Sequence, residues 1–228
     1  RPIASAWPSL IENSQLFVFF GFNPMINSDI HFGGEGNNYN FHWLSELRKK
    51  GTPVVSLNPL KEDTDTYLGT EHIAIRPNTD TALMLALAHV LYEEGLHDQA
   101  YLDKYAVGFD RFVEYLTGAS DGQPKTPEWA APITDVPAET IRGLARRMAQ
   151  GPTSLMGGFS LQRAEHGAQP VWMMVVLSAM LGQIGTPGGG VNCGFPPGMG
   201  VPTGRAPSVP GAPRVANPVS DFTPINMW

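Results

Sequence analysis

The 228-residue sequence is poor in cysteine, in charge and in long apolar runs, and each shortage removes a class of protein. A single cysteine, Cys193, excludes an internal disulfide framework and a metal site built from cysteine alone. Charged residues make up 16% and the net charge is −6, so the chain lacks the basic field of a dedicated nucleic-acid binder. The longest apolar stretch, Val171 to Leu181, falls short of the roughly 18 residues that a membrane span requires. The opening at Arg1-Pro2 shows neither an initiator methionine nor a signal-peptide pattern, which predicts an excised piece of a longer chain.

Catalytic motifs are equally scarce. No GxGxxG dinucleotide fingerprint is present, which disfavours ordinary NAD binding. The six histidines, His31, His42, His72, His89, His97 and His166, form no HExxH or other metal-ligand spacing. His89 reads as a core or boundary histidine on a long helix. No Ser/His/Asp or Cys/His arrangement names a nucleophile.

With 42% apolar residues, the chain is long enough for one large domain or two small ones with a real core. Short apolar runs closed by turn residues read as buried strands: Gln15 to Phe20, Pro53 to Leu57, Glu71 to Ile75 and Pro152 to Met156. Helical spacing places helices at Trp7 to Asn13, Phe41 to Lys50, Thr81 to Glu94, His97 to Tyr105, Phe109 to Leu116 and Gln169 to Gln183. Two more start at Pro127 and at Val136-Pro137. In the second, Ile141, Leu144, Ala145 and Met148 share one face, and Arg142, Arg146 and Arg147 the other. The polar stretch Asn27 to Asn40 predicts an irregular surface loop.

This alternation predicts a three-layer, doubly wound α/β domain with a mainly parallel, Rossmann-like sheet over residues 1–187. The sheet strands are expected at Leu16–Phe20, Val54–Leu57, His72–Ile75 and Thr153–Met156. From Gly188 onward glycine and proline dominate, and residues 188–228 are expected to form an irregular extended tail.

Three turns share a design. Gly21-Phe22-Asn23-Pro24, Asn58-Pro59-Leu60-Lys61 and Arg76-Pro77-Asn78-Thr79-Asp80 each follow an apolar strand. In a parallel sheet they share one edge, where open α/β folds bind nucleotides. Asp80 is placed either as a helix cap or dipole partner, or as a bidentate acceptor for purine N–H groups or ribose hydroxyls. Asn78 or Thr79 can fill the cap equally well. The fourth strand leads into Gly157-Gly158-Phe159-Ser160-Leu161-Gln162-Arg163 and His166-Gly167. Its paired glycines permit close backbone approach to a ligand, and Gln162 and Arg163 offer donors.

These stretches together resemble the molybdopterin oxidoreductases of the dimethyl sulfoxide reductase type, within the branch reducing trimethylamine N-oxide, dimethyl sulfoxide and biotin sulfoxide. The phrases carrying the resemblance are VFFGFNP (18–24), VVSLNPLKEDT (54–64), RPNTDTALMLALAHVLYEEGLHD (76–98), the long run 107–148, GGFSLQRAEHG (157–167) and LGQIGTPGGG (181–190). Formate dehydrogenase and nitrate reductase relatives typically shorten the GFSLQ turn by one residue. The resemblance fades in the Gly/Pro tail.

The resemblance implies one of two α/β domains that clasp a bis(molybdopterin guanine dinucleotide) molybdenum centre. Gly21, Asn23 and Pro24 match the first dinucleotide-contacting loop. Asn58, Pro59 and Lys61 match the second, where the family usually carries Asp-Pro and then Arg. Asn58 therefore lacks the carboxylate and Lys61 the planar fork. Asp80, with Asn78 and Thr79 beside it, matches a guanosine-contacting aspartate. Gly158, Ser160, Gln162, Arg163 and His166 match the stretch near the pterin and the metal. The family's molybdenum ligand in this branch is a serine upstream of this segment, so the chain alone is expected to carry no molybdenum and no catalytic residue. The implied parent is a periplasmic rather than cytoplasmic reductase of a small S-oxide or N-oxide, with the remaining domains of its own chain as partners. The competing reading is a non-catalytic nucleotide-binding or interaction module.

Overall fold

The apolar run at Leu16–Phe20 forms the middle strand of the sheet, and its burial on both faces sets the layers. The computed structural model describes residues 7–27 and 39–193. In chain order the elements begin α1 (Trp7–Asn13), β1 (Leu16–Phe20), α2 (Pro24–Asn27), α3 (Tyr39–Lys50), β2 (Val54–Leu57), α4 (Asp63–Leu68) and β3 (Glu71–Ile73). They continue with α5 (Asp80–Glu93), α6 (Gln99–Tyr105), α7 (Phe109–Leu116), α8 (Pro127–Thr134), α9 (Ala138–Met148), β4 (Thr153–Gly157), α10 (Ala168–Met180) and β5 (Gly190–Cys193). Among the described residues the five strands pair in the order β3-β2-β1-β4-β5, every pair parallel.

Alternation along β1 divides two cores, because successive strand side chains point to opposite faces. Leu16, Val18 and Phe20 enter one core with residues of α5, α9 and α10. Phe17 and Phe19 enter the other with Trp7 and Leu10 of α1 and Leu44 and Leu47 of α3. On that second face Phe19 meets Phe17 and Phe22 edge-on, at ring-centre distances of 6.3 and 5.1 Å. A parallel strand covered on both faces has no polar side to show, hence its unbroken apolar sequence. Helix α5 is apolar nearly all round for the same reason: α8, α9 and α10 pack around it. Helix α9 instead buries Ile141, Leu144, Ala145 and Met148, while Arg146 makes a two-pronged contact with Glu94 at 2.9 Å per bond.

The expected parallel sheet and three-layer fold are observed, with differences at several elements; a short helix α2 follows the first turn, and α3 starts at Tyr39, within the stretch expected as loop. The third strand stops at Ile73 rather than Ile75, because β2 ends at Leu57, opposite Ile73. Beyond that point the chain turns to α8 instead, where Arg76 N–H donates to Thr134 O at 2.9 Å. Helix α4 occupies residues 63–68, beyond the Asn58 to Lys61 turn, where no element is expected.

The glycine-rich run after Gly188, expected to be irregular, supplies β5, whose backbone pairs with β4 from Ser154↔Gly190 to Gly157↔Cys193. Backbone pairing needs no side-chain pattern, so a strand can hide in such a run. Gly188 itself has φ +77, and a Cβ there would lie 2.4 Å from Asn13 C. Its carbonyl accepts from Ser14 Oγ at 2.7 Å, which fastens this segment to the start of β1. Residues 28–38 of the expected loop and 194–228 of the expected tail lie outside the described residues.

Candidate functional site

The chain moves from β1 to β2 on one side and to β4 on the other, so the turns after β1 and β4 diverge at the carboxyl edge. Open α/β sheets bind ligands at such a switch point. A crevice of about 300 Å³ opens there. The turn after β1 contributes Gly21 and Asn23 to its walls, the turn after β2 Asn58 and Pro59, the turn before α5 Asn78 and Asp80, and the turn after β4 Ser160. The structure thus brings the three strand-end turns and the fourth-strand loop to one crevice.

The floor is held by backbone in close approach. Gly158 N–H donates to Phe20 O at 2.9 Å, and Ser160 Oγ donates to Gly21 O at 3.0 Å. A Cβ on Gly158 would sit 1.9 Å from Gly21 O, so only glycine lets the two turns meet.

The turn leading to Asp80 is braced from outside. Arg76 grips Asp135 with two hydrogen bonds, Nε to Oδ2 at 3.0 Å and Nη2 to Oδ1 at 2.7 Å. Thr79 Oγ1 donates to Arg76 O at 2.7 Å, which ties the turn to itself. Thr79 holds the N-cap position and makes no side-chain cap bond, while Asp80 is the first helical residue. Asp80 therefore favours the helix dipole without being its cap. Burial pushes its carboxyl up to about 6, opposed only by its own backbone N–H. Asn78, at φ 64, adopts the left-handed conformation that lets the turn close.

On the opposite wall the carboxamide of Asn23 is used at both ends. Its Nδ2 donates to Glu62 and its Oδ1 accepts from Thr64 Oγ1. Glu62 lines the crevice just ahead of α4, and its own N–H donates to Asp65 Oδ2 at 2.8 Å. Nothing in LKEDT beyond an acidic residue before a short helix marks Glu62 as a site residue. Asn58 is buried; its Nδ2 donates to Ser56 Oγ at 3.0 Å, and its backbone carbonyl oxygen lies 3.0 Å from His72 Nε2.

Other expected site residues stand apart from this crevice. Pro24 is buried as the first residue of α2. Lys61, Gln162 and Arg163 are exposed and do not line it, the last lying over the Phe159 ring. His166, at φ 56, lines a neighbouring hollow of about 280 Å³ that shares Asn78 and Asp80 with the crevice. Asp80 thus sits on the ridge between two hollows. Among the described residues no group of three or more His, Cys, Asp or Glu is placed to hold a metal.

The described lining carries two carboxylates, Asp80 and Glu62, and no lysine, arginine or histidine. Such a lining accepts hydrogen bonds, so it suits N–H and O–H groups and repels phosphate.

Comparison with known proteins gives the wider frame. The family model described as molybdopterin oxidoreductase matches residues 2–218. A dimethyl sulfoxide/trimethylamine N-oxide reductase of Cereibacter sphaeroides is 45% identical over 208 residues, covering 91% of this chain and 25% of that protein. Trimethylamine-N-oxide reductase 1 of Escherichia coli K12 is 43% identical, covering 84% of this chain and 23% of its own length. The trimethylamine-N-oxide reductase of Vibrio cholerae is 41% identical over 216 residues, 92% of this chain and 26% of that one. The chain therefore spans about a quarter of the length of these relatives. Among solved structures, acetylene hydratase from Pelobacter acetylenicus superposes with a TM-score of 0.61 at 22% identity, over 75% of this chain and 22% of that one, a likeness of fold.

Proposed function

The chain belongs to the molybdopterin oxidoreductase family, and from that premise we propose that it is a cofactor-binding domain of a molybdenum-dependent reductase of S-oxides or N-oxides. Its part is to hold the guanosine end of a molybdopterin guanine dinucleotide, while other domains of the same polypeptide complete the cofactor cleft. When bound, the molybdenum centre supplies the two-electron, oxygen-atom-transfer chemistry. This domain binds and orients it.

One observation carries the reading: a poorly solvated carboxylate, Asp80, faces a switch-point crevice whose described lining holds no cation. Its two oxygens match the N1–H and exocyclic amino group of guanine. Adenine does not present those two donors together. Each bond to a carboxylate shielded from water contributes on the order of 1.5–3 kcal/mol. The glycine contact between the β1 and β4 turns keeps the backbone low enough for a flat ligand to lie across them. Asn78 and the braced Arg76 turn hold Asp80 in place. Identity of 41–45% with proteins named as reductases weighs against a non-catalytic nucleotide-binding module.

The test is Asp80→Asn in the complete parent protein, with bound cofactor and melting temperature measured together. The amide presents a donor where guanine needs an acceptor, so cofactor content is expected to fall by about tenfold or more in a protein that remains folded. Normal cofactor content would overturn the guanosine assignment.

A further inference from the structure

The turn after β2 brings the neutral Asn58 to the crevice, and the same wall carries a carboxylate four residues further on, at Glu62. We propose that Glu62 is a ligand-contacting residue that takes the ribose hydroxyls of the nucleotide, and that Asn23 is a positioning residue acting through it. The inference rests on the guanosine reading of the same crevice and adds to it a second recognition element.

Three observations support the assignment. Glu62 is fixed before any ligand arrives. Its N–H donates to Asp65 Oδ2 at 2.8 Å, its carbonyl accepts from Thr66 N–H at 3.1 Å, and its carboxylate accepts from Asn23. Asp65, the residue at the base of this arrangement, is buried and also accepts from Thr70 Oγ1 at 2.8 Å. A carboxylate held this way loses little freedom on binding.

Second, Asn23 lines the crevice but commits one end of its carboxamide to Glu62 and the other to Thr64. Thr64 Oγ1 also accepts from Met25 N–H at 3.2 Å, which closes a ring between the β1 turn and the start of α4. Asn23 therefore aims Glu62 rather than meeting the ligand.

Third, the chemistry of the wall is selective. A carboxylate beside the end of the second strand of a nucleotide-binding α/β sheet is well placed to accept from ribose hydroxyls. Glu62 and Asp80 arise from different turns, so one reads the sugar while the other reads the base.

The experiment uses the complete parent protein freed of cofactor, with guanosine monophosphate, its 2′,3′-dideoxy analogue and adenosine monophosphate as probes in calorimetric titrations. The unsubstituted protein is expected to bind guanosine monophosphate about tenfold or more tightly than the dideoxy analogue, the range for one or two charge-assisted hydrogen bonds. Glu62→Gln should bring that ratio down to within about twofold of unity while leaving the preference for guanine over adenine intact. Asn23→Ala should lower the ribose ratio in the same direction, again without touching base preference. Asn58→Asp placed on the Glu62→Gln background should restore ribose discrimination by supplying a carboxylate from the neighbouring position on the same wall. Cofactor content of each as-purified variant provides a second readout and should fall in Glu62→Gln and recover in the double variant. A ribose ratio and cofactor content unchanged in Glu62→Gln would overturn the proposal. Loss of guanine preference in the unsubstituted protein would instead overturn the guanosine reading, so the two failures are distinct.

Discussion

Asp80 shows how one side chain carries information that its type does not. In the sequence it is an acidic residue ahead of a helix, with capping as its ordinary role. In the structure the neighbouring Thr79 holds the cap position, and Asp80 is left in the crevice with its carboxyl raised from 3.8 to about 6 by burial. A carboxyl raised in the folded state binds its proton more tightly there than in the unfolded chain. Its contribution to stability is therefore full below about pH 4 and lost as pH rises through about 6. The expected consequence is that Asp80→Asn melts at a higher temperature than the unsubstituted chain at pH 7 and at nearly the same temperature at pH 3.5. The difference is on the order of 2 kcal/mol, allowing for the partial exposure of the side chain. Thermal melts of both proteins at the two pH values check it; a difference independent of pH would show that the carboxyl is not strained by burial. A site that is costly without its ligand is a common mark of binding groups. Glu62 was not legible beforehand, since its importance comes from Asn23, 39 positions earlier, which no local pattern connects to it.

Strands and helices were legible where their own residues decide them. Five apolar residues in β1 and the one-sided pattern of α9 fix both type and burial. What escaped were the elements defined by a neighbour: the early end of β3, helix α4 and strand β5. The same distinction separates two substitutions. Ile141→Ala removes a buried side chain from the apolar face of α9 and should cost about 2–5 kcal/mol through lost burial and the cavity left behind. Gly158→Ala adds one methyl group, but places it 1.9 Å from Gly21 O, between the two turns that define the switch point. It should destabilise by about 1–3 kcal/mol or more and should also widen the crevice, because rigid backbone has to move. Denaturant melts measure the first effect in both variants. Only Gly158→Ala is expected to lower cofactor content of the complete protein beyond what its stability loss explains. Equal cofactor loss at equal stability loss would remove the special role assigned to Gly158.

For the whole molecule, composition draws the boundary after Pro187, and pairing draws it later. A chain ending at Pro187 lacks β5 and leaves the backbone of β4 from Ser154 to Gly157 without its outer partner. It also loses the bond from Ser14 Oγ to Gly188 O that ties the sheet edge to β1. Such a chain is expected to melt well below the 228-residue chain and to associate through its newly open edge. Melting temperature and light scattering check this; two chains of equal stability would return the boundary to Pro187. Fold class, the middle of the sheet and the positions of three turns follow from the amino-acid sequence alone, because buried parallel strands need continuous apolar runs and turns need glycine, asparagine and proline nearby. Which turns meet was settled by strand order, since β1 and β4 are neighbours although more than 130 residues separate them in the sequence. The placing of carboxylates on two walls of the crevice, and the recruitment of a glycine-rich run as the outer strand, likewise depended on long-range backbone contacts that no local pattern encodes.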